Sequence, residues 1–312
     1  MPRTTPGIGI PERVFGAAIQ ELEPAWRPWL RLLELALDEA EDRVWDAAVP
    51  ELGTGPSITD QSTGSPEAPL LHGAVVRVDP RLVRRLVRTL LREAASGGDE
   101  GGVRLAKERA RQLDALALLR AALTRDTGAI DRLGTAAGME PDALGALVAV
   151  AQLAAMPLLH ACERRFREQV NATWMKGYCP ICGAWPIMAE LRGIERNRRM
   201  RCGSCGGDWA LPVLHCPYCA EVRHDHLGSL LLEGEEQARR IDICRSCKGY
   251  VKTFNVLRPR SLRSLATDDL ASVELDLVAH EHGYARPSHG AFPMTVTVER
   301  AAMPSRRVAP PV

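Results

Sequence analysis

The chain has 312 residues, of which 46% are apolar and 25% charged, as in an ordinary soluble globular protein with room for two domains. A formal net charge of +1 excludes a strong overall attraction to nucleic acid or to an anionic membrane. Residues 1–15 contain no secretory h-region, and no uninterrupted apolar run reaches the ~18–20 residues that a membrane span needs. We therefore expect a cytoplasmic protein without membrane insertion.

The part of the chain before Trp174 carries helical patterns of apolar residues. Residues 11–48 have this spacing, and a second helix follows Asp79-Pro80, a pair typical of a helix start. Further helices are predicted over 103–125 and from Glu140 to Phe166, with loops rich in Gly, Ser and Pro between the segments. This part contains no internal repeat and no catalytic motif. A helical bundle or array is the expected structure.

The composition changes at Trp174. Six short segments from there to about residue 257 alternate in the manner of strands: WPIMAEL, RNRRMRC, WALPVLHC, LGSLLLEG, RRIDIC and YVKTFNVL. Beyond Pro259, residues 264–284 are helical again, before a Pro-rich tail. The predicted fold class is α+β. A helical N-terminal domain precedes a small β domain of two tandem rubredoxin-like or zinc-ribbon knuckle subdomains and a C-terminal helix. The expected boundaries are 1–172 for the helical domain, 173–212 and 213–258 for the two metal subdomains, and 259–312 for the C-terminal helix and tail.

Eight of the nine cysteines occur as four Cys-x-x-Cys pairs at the ends of the predicted strands. The pairs are Cys179/Cys182, Cys202/Cys205, Cys216/Cys219 and Cys244/Cys247. In a cytoplasmic protein such pairs are more often metal ligands than disulfides. The segment between the first two pairs, 183–201, and the segment between the last two, 220–243, are close in length to those of zinc ribbons and rubredoxin-like sites.

Two tetrathiolate sites are therefore expected, and neither is expected to be catalytic. Sequential pairing places Cys179, Cys182, Cys202 and Cys205 in the first site and Cys216, Cys219, Cys244 and Cys247 in the second. Interleaved or nested pairing stays open, because the short segment 206–215 between the second and third pairs is also able to close a hairpin. Iron and zinc both suit four thiolates. With four protein ligands no coordination position remains for a substrate, so such a site is structural or electron-carrying.

The residue that follows each pair differs between the two sites. Gly183 and Gly206 follow the first two pairs, where a left-handed backbone is required. Ala220 and Lys248 stand at the corresponding positions of the last two pairs. We expect these two turns to have either more backbone strain or a different geometry.

With these motifs in place, the chain resembles the formate dehydrogenase accessory protein family, FdhE. The resemblance rests on CPICGAWP, RCGSCGGDW, HCPYC and ICRSCKGYVKTF, and it continues into LATDDLASVELDLVAHEHGY, which is similar to the family's C-terminal helix. It implies a cytosolic maturation factor with a helical N-terminal domain and two rubredoxin-like subdomains. It also implies iron at the cysteines, action on the catalytic subunit of a molybdenum- or tungsten-dependent formate dehydrogenase, and no substrate turnover of its own.

The alternative function is that of a zinc-ribbon nucleic-acid-binding or regulatory protein. Five arginines crowd the hairpin between the first two cysteine pairs, and a basic hairpin of this kind is able to hold phosphate. They are Arg192, Arg196, Arg198, Arg199 and Arg201. The acidic residues Asp208, Glu233, Glu235 and Glu236 and the net charge of +1 favour a solvated hairpin or a partner-docking surface instead. Nucleic acid is therefore not the expected partner, and the oligomeric state is not indicated.

Overall fold

A computed structural model describes residues 27–51, 68–96, 111–231, 238–288 and 290–301. The first part of the predicted helix over 11–48, most of the predicted loop after it and the acidic run at 233–236 lie outside the described residues. The helices that precede the cysteines are α1 (Arg27–Glu41), α2 (Pro80–Ser96), α3 (Ala115–Thr124), α4 (Thr127–Ala136) and α5 (Pro141–Phe166). A 3-10 turn, Arg43–Ala48, follows α1.

The longest of these helices, α5, is the centre of the helical region. It contacts α1, α2, α3 and α4, and Leu147, Val150, Ala151 and Leu158 on it are at most 1% exposed. The predicted single helix over 103–125 is interrupted in its described part, and α3 begins only after Asp114. The carboxylate of Asp114 accepts hydrogen bonds from the backbone N–H groups of Leu116 and Ala117, which makes it an N-cap.

Length and composition alone would allow one described segment to cross a membrane. It is Pro141–Gln169, which consists of α5 and a short 3-10 extension. Half of its most apolar stretch is buried inside the protein. The sequence analysis expected no such segment, yet the core helix of a compact protein has the same length and composition, and α5 packs as one.

A strand overlaps each of the six predicted segments, and the six strands form one sheet. The third is short, and residues 211–216 of the predicted WALPVLHC are not in a strand. They are β2 (Pro186–Arg192), β3 (Asn197–Cys202), β4 (Asp208–Ala210), β5 (Leu227–Leu230), β6 (Arg239–Cys244) and β7 (Tyr250–Val256). The strand order is β4-β3-β2-β7-β6-β5. All pairs are antiparallel except β2 with β7, which run parallel with Ala189 opposite Thr253. This central parallel pair joins two antiparallel units, one for each set of four cysteines.

The C-terminal helix is divided into two. Helices α6 (Leu262–Leu270) and α7 (Val273–Glu281) replace the single helix predicted over 264–284. Between them the hydroxyl of Ser272 donates to the backbone carbonyls of Asp268 and Asp269. Such side-chain bonds to the backbone compete with helical hydrogen bonding.

Two short strands were not predicted. They are β1 (Val75–Val78) before α2 and β8 (Thr297–Arg300) near the end of the described chain, and they pair in parallel.

With helices at both ends and a sheet that carries the cysteine turns between them, the predicted α+β fold class is confirmed. The four domain boundaries stay a prediction.

Among the described residues the apolar core has two parts, and each one joins helices to the sheet. In the first, residues of α5 such as Leu158 and Cys162 share a cluster with Cys179, Cys182 and Trp209. In the second, Leu37 of α1 and Leu265 of α6 pack with Met188, Tyr250 and Phe254 of the sheet. The sheet is therefore fixed by helices that come from both before and after it in the sequence.

A buried lysine links the sheet to the C-terminal helices. The side chain of Lys252 on β7 is fully buried, and its Nζ lies 2.7 Å from a carboxylate oxygen of Asp269 and 2.9 Å from one of Asp276. Arg286 contacts the same two carboxylates. Because buried charges are costly unless they are paired, this cluster specifies where α6 and α7 lie on the sheet.

Replacing Lys252 with Ala should therefore destabilise the protein strongly. It leaves the carboxylates with one cation and opens a cavity, so the free energy of unfolding should fall by about 3–5 kcal/mol. Urea denaturation followed by circular dichroism measures this change. Lys176→Ala is the matched control, because Lys176 has no ion pair among the described residues and should change stability by about 0.5 kcal/mol or less. Equal losses in the two variants would contradict the role given to the Lys252 cluster.

Candidate metal centres

The four cysteine turns share one backbone geometry. In each turn, the N–H of the first cysteine donates to the carbonyl five residues later. These bonds are Cys179 to Ala184 at 2.8 Å, Cys202 to Gly207 at 2.9 Å, Cys216 to Glu221 at 2.8 Å and Cys244 to Gly249 at 2.9 Å. The residue after each pair has a positive φ of 69° at Gly183, 80° at Gly206, 58° at Ala220 and 58° at Lys248. The geometry is therefore the same in all four turns, and Ala220 and Lys248 accept backbone strain to reach it.

The structure brings the eight cysteines together in two groups of four. Cys179 and Cys205 have their sulfurs 3.6 Å apart, and Cys182 and Cys202 have theirs 3.5 Å apart. In the second group, two sulfur pairs are each 3.7 Å apart, and within both groups all four sulfurs lie within 4.8 Å of one another. The members of the second group are Cys216, Cys219, Cys244 and Cys247. The arrangement is sequential, and neither interleaved nor nested pairing occurs.

These sulfur distances fit a tetrahedral metal site. Metal–sulfur bonds of about 2.3 Å place the sulfurs of a regular tetrahedron about 3.8 Å apart, close to the observed spacing. A disulfide would need a separation of about 2.05 Å. The chemistry of the donor set also fits, because four thiolates suit zinc or a single iron ion. That each cysteine is a metal ligand stays a prediction.

The first site is enclosed by the helical region. Its four cysteines are at most 1% exposed. Arg125, at the end of α3, donates from Nη2 to the carbonyl oxygen of Cys182 at 2.8 Å and lies 3.4 Å from its sulfur. The backbone N–H groups of Leu70 and Leu71 donate to the carbonyls of Pro180 and Ile181 in the same turn. Residues that precede the cysteines in the chain, from the end of α3 and from the turn before β1, thus hold the first cysteine turn by its backbone as well as by packing.

Glycine is required at one position of this turn for two reasons. Gly183 has a φ of 69°, and a Cβ placed on it would lie 2.9 Å from the sulfur of Met294 and 3.1 Å from Pro69. The first turn is therefore packed too closely for any side chain there. In the second turn, the backbone N–H of Gly207 donates to Cys205 Sγ at 3.4 Å.

Burial and neighbouring thiols shift the pKa values of Cys179 and Cys182 in opposite directions. Burial raises the pKa of Cys179 well above its usual range. Hydrogen bonds from Cys179, Cys202 and Cys205 lower the pKa of Cys182, and the charge of Arg125 acts in the same direction. Four thiolates in this buried space require a cation, so metal binding releases protons and weakens as the pH falls.

The second site is open to solvent on one side. Cys219 and Cys247 are exposed, whereas Cys216 and Cys244 are buried. Although burial acts in the opposite direction, the backbone N–H groups of Cys247 and Ser246 lower the pKa of Cys244. Although Cys247 is exposed as a residue, the partial burial of its thiol raises the pKa of Cys247 to about 11. The two sites thus have the same turns and the same ligand type but differ in solvent access.

A polar network connects the two turns of the second site. Ser246, in the fourth turn, donates from its hydroxyl to Glu221 beside the third turn at 2.6 Å, and His226 Nδ1 lies 2.7 Å from the same hydroxyl. Beneath the site, the hydroxyl of Tyr218 donates to the carbonyl of Tyr250. No histidine belongs to either group of possible metal ligands within the described ranges. His226 therefore supports the turn that carries Ser246.

The arginines of the first hairpin have a role that the sequence analysis missed. Arg198 and Arg201 are buried, and Arg201 pairs with the fully buried Glu190 at 2.6 Å. Arg199 and Arg192 both pair with Asp208, at 2.7 and 2.8 Å. The expected solvated or partner-facing hairpin is therefore wrong for most of these side chains. The available signal was the presence of Glu190 and Asp208 on the strands adjacent to β3.

Residues 213–292, which contain the third and fourth cysteine turns, match the family model described as FdhE, C-terminal domain. This part of the chain is similar to the C-terminal domain of the FdhE family. The resemblance inferred from the cysteine motifs is confirmed, and the model match begins after the first two turns.

Curated relatives carry the same family name. The FdhE homolog of Aquifex aeolicus is 34% identical over 133 residues, which cover 42% of this chain and 46% of the relative. The homolog of Pseudomonas aeruginosa is 36% identical over 125 residues, or 38% of this chain and 40% of the relative. The FdhE protein of Salmonella choleraesuis is 32% identical over 117 residues, or 37% of each chain. The aligned parts thus span less than half of each relative.

The likeness of fold extends further than the likeness of sequence. The crystal structure of the FdhE protein from Pseudomonas aeruginosa superposes on this chain with a TM-score of 0.52 and 23% sequence identity. The superposition covers 90% of this chain and 92% of the other. The helical region, where the sequence resemblance was only one of helical character, therefore shares its fold with an FdhE protein.

The difference in solvent access predicts the order of metal loss. In protein loaded with zinc, excess chelator should remove the ion of the second site first, about tenfold faster or more, because the first site opens only when its packing opens. Zinc release followed with a colorimetric chelator should show two phases. Cys219→Ser should abolish the fast phase and Cys182→Ser the slow one. A single phase, or a fast phase that depends on Cys182, would contradict this assignment.

The left-handed backbone conformation of Ala220 gives a second prediction. Ala220→Gly should stabilise the metal-loaded protein by about 0.5–1 kcal/mol, since glycine relieves the strain of a positive φ but is more flexible in the unfolded chain. Gly183→Ala should act in the opposite direction. Thermal unfolding of both zinc-loaded variants measures these changes. An Ala220→Gly protein that is less stable than the parent would show that the turn is not strained.

Proposed function

We propose that this chain is an accessory factor for the maturation of formate dehydrogenase and that it holds one metal ion in each four-cysteine site. The observation that supports this most directly is the pair of sulfur clusters, one of which lies in the segment that matches the FdhE C-terminal domain. The accessory role follows from the family resemblance. The sulfur clusters indicate that the chain would bind metal ions in this accessory role.

Each site is suited to bind an ion and not to act as a hydrolytic centre. Cys179, Cys182, Cys202 and Cys205 would hold the first ion, and Cys216, Cys219, Cys244 and Cys247 the second. Four thiolate ligands leave no position for water or substrate, which favours a protein that is not an enzyme. The resemblance favours iron, which supplies one-electron redox chemistry in such a site, and zinc fits the same sulfurs without redox chemistry.

The two sites would have different roles. The first is surrounded by Leu70, Arg125 and the core of α5, so it would hold the helical region and the sheet in one arrangement. The second exposes Cys219 and Cys247, so it would face the partner. The proposed partner is the catalytic subunit of formate dehydrogenase, bound in the cytoplasm. The nucleic-acid alternative has no comparable support, because the hairpin arginines on which it depended are mostly paired.

Metal analysis and binding together test the proposal. Protein purified without oxygen should contain two metal ions per chain, and iron would give the red colour of a ferric tetrathiolate after oxidation. The metal-loaded protein should retain the formate dehydrogenase catalytic subunit in a pull-down. Cys219→Ser should lower the metal content to one ion and weaken retention at least about tenfold with helicity unchanged.

Cys162→Ala is the matched control, because Cys162 is buried in the helical core and belongs to neither sulfur group. It should retain both metals and the partner. Two outcomes would reject the proposal: a metal-loaded protein that does not bind the subunit, and binding to DNA or RNA with a steep dependence on salt in place of subunit binding.

A further inference from the structure

Every exposed residue of α2 within its described side chains is an arginine. Arg81, Arg84, Arg85, Arg88 and Arg92, which we call the arginine stripe, follow the helical repeat and occupy one face of the helix. The opposite face, with Val83, Leu86 and Leu90, is buried in the helical region. At a rise of about 1.5 Å per residue, the stripe is about 17 Å long.

Most of this charge has no counter-charge on the described surface. Only Arg85 has an ion pair, to Glu39 at 2.6 Å, and the one acidic residue of α2, Glu93, pairs with Arg31 of α1. Arg81, Arg84, Arg88 and Arg92 have no ion pair with any described residue. The excess is local, since the whole chain has a net charge of only +1.

The charges of the stripe do not favour the helix that carries it. Asp79, just before α2, accepts a hydrogen bond from the N–H of Arg81, but the first turn contains no acidic residue, and Arg81 and Arg84 place positive charge near the positive end of the helix dipole. Arginines three and four residues apart also repel one another. The stripe therefore does not serve the stability of α2, and a role outside the fold is indicated.

An apolar hollow adjoins the N-terminal end of the stripe. It has a volume of about 390 Å³ and its apolar lining comes from Val44, Ala47, Ala48, Val78, Leu82 and Ala301, beside Arg77 and one carboxylate, that of Asp79. Arg81 and Arg85 of the stripe line the same hollow. A further space of about 300 Å³ lies among the stripe arginines themselves. Neither space is lined by a cysteine or an aromatic residue, so both are separate from the metal sites.

We propose that the arginine stripe and this hollow form a docking surface for an acidic segment of a partner protein. Guanidinium groups bind carboxylates in a bidentate manner, and a helical segment with glutamates or aspartates on one face would pair with Arg81, Arg84, Arg88 and Arg92. An apolar side chain at the end of the segment would enter the hollow. This surface is distinct from the second metal site, so its existence does not depend on the function proposed above.

Three other occupants fit these observations less well. Single-stranded nucleic acid is usually held by aromatic side chains on which bases stack, and the stripe has none. The chain's own residues 302–312 follow Ala301 directly, but they contain two arginines and no acidic residue. Residues 97–110 follow α2 and carry three acidic and three basic residues, which gives them no net charge to offset the stripe.

A fluorescence-anisotropy titration of the full chain tests the proposal. The probe is a labelled helical peptide with four glutamates spaced by 3, 4 and 4 residues, to match the unpaired arginines, and a leucine at each end. We expect binding that weakens with salt. Glutamine in place of the glutamates should abolish it. Arg84→Glu with Arg88→Glu should weaken it at least tenfold, with a melting temperature equal to or above that of the parent.

Arg120→Glu with Arg165→Glu is the matched control. It changes the net charge equally at two exposed arginines of α3 and α5 that have no ion pair with described residues, and it should retain affinity within twofold. The proposal is overturned if the peptide does not bind, or if the control loses as much affinity as the stripe variant. It is also overturned if a single-stranded oligonucleotide or phosphatidylglycerol vesicles bind the stripe more tightly than the peptide.

Discussion

The arrangement of the whole protein depends on the first group of four sulfurs. This group lies where the helical region meets the sheet, and residues from both surround it. Arg125 reaches it from the end of α3, His160 of α5 lies 3.3 Å from the carbonyl of Cys205, and Leu70 holds the turn that begins at Cys179. A helical domain beside an independent metal domain would need no such contacts. The first site therefore lies in the interface between the helical region and the sheet.

The two sites show that the backbone geometry of a cysteine turn and the solvent access of its sulfurs have separate causes. The turns are the same in hydrogen bonding and backbone conformation, including the positive φ at Ala220 and Lys248. What differs is the packing around them, since α5 and the segment near Leu70 cover the first site, while two sulfurs of the second face solvent. A buried tetrathiolate exchanges its ion only when the fold opens, whereas an exposed one responds to whatever binds its surface.

The features that could be predicted from sequence are those encoded over a few residues. The cysteine turns follow from the Cys-x-x-Cys spacing, and the six strands follow from alternation between those turns, so the ligand groups and the α+β class were accessible. The distant pairings were not accessible. No residue near Lys252 in the sequence indicates its carboxylate partners on α6 and α7. The ion pair of Arg198 on β3 with Asp242 on β6 depends on the order of the strands in the sheet. Two predicted helices are interrupted by hydrogen bonds from one side chain each, at Ser272 and at Asp114. The spacing of apolar residues carries no information about such bonds.

The pairing of β1 with β8 has a consequence for how the protein is made. Val75–Val78 on β1 has its partner in Thr297–Arg300, which follows every other described helix and strand in the chain. Because synthesis proceeds from the N-terminus, the helical region leaves the ribosome long before this partner exists. Both sets of cysteines are translated in the interval and are available to metal while β1 still has an open edge. Closure of this small sheet is therefore among the last events of folding, after the sulfur ligands have emerged, and contacts of such long range also make folding slow.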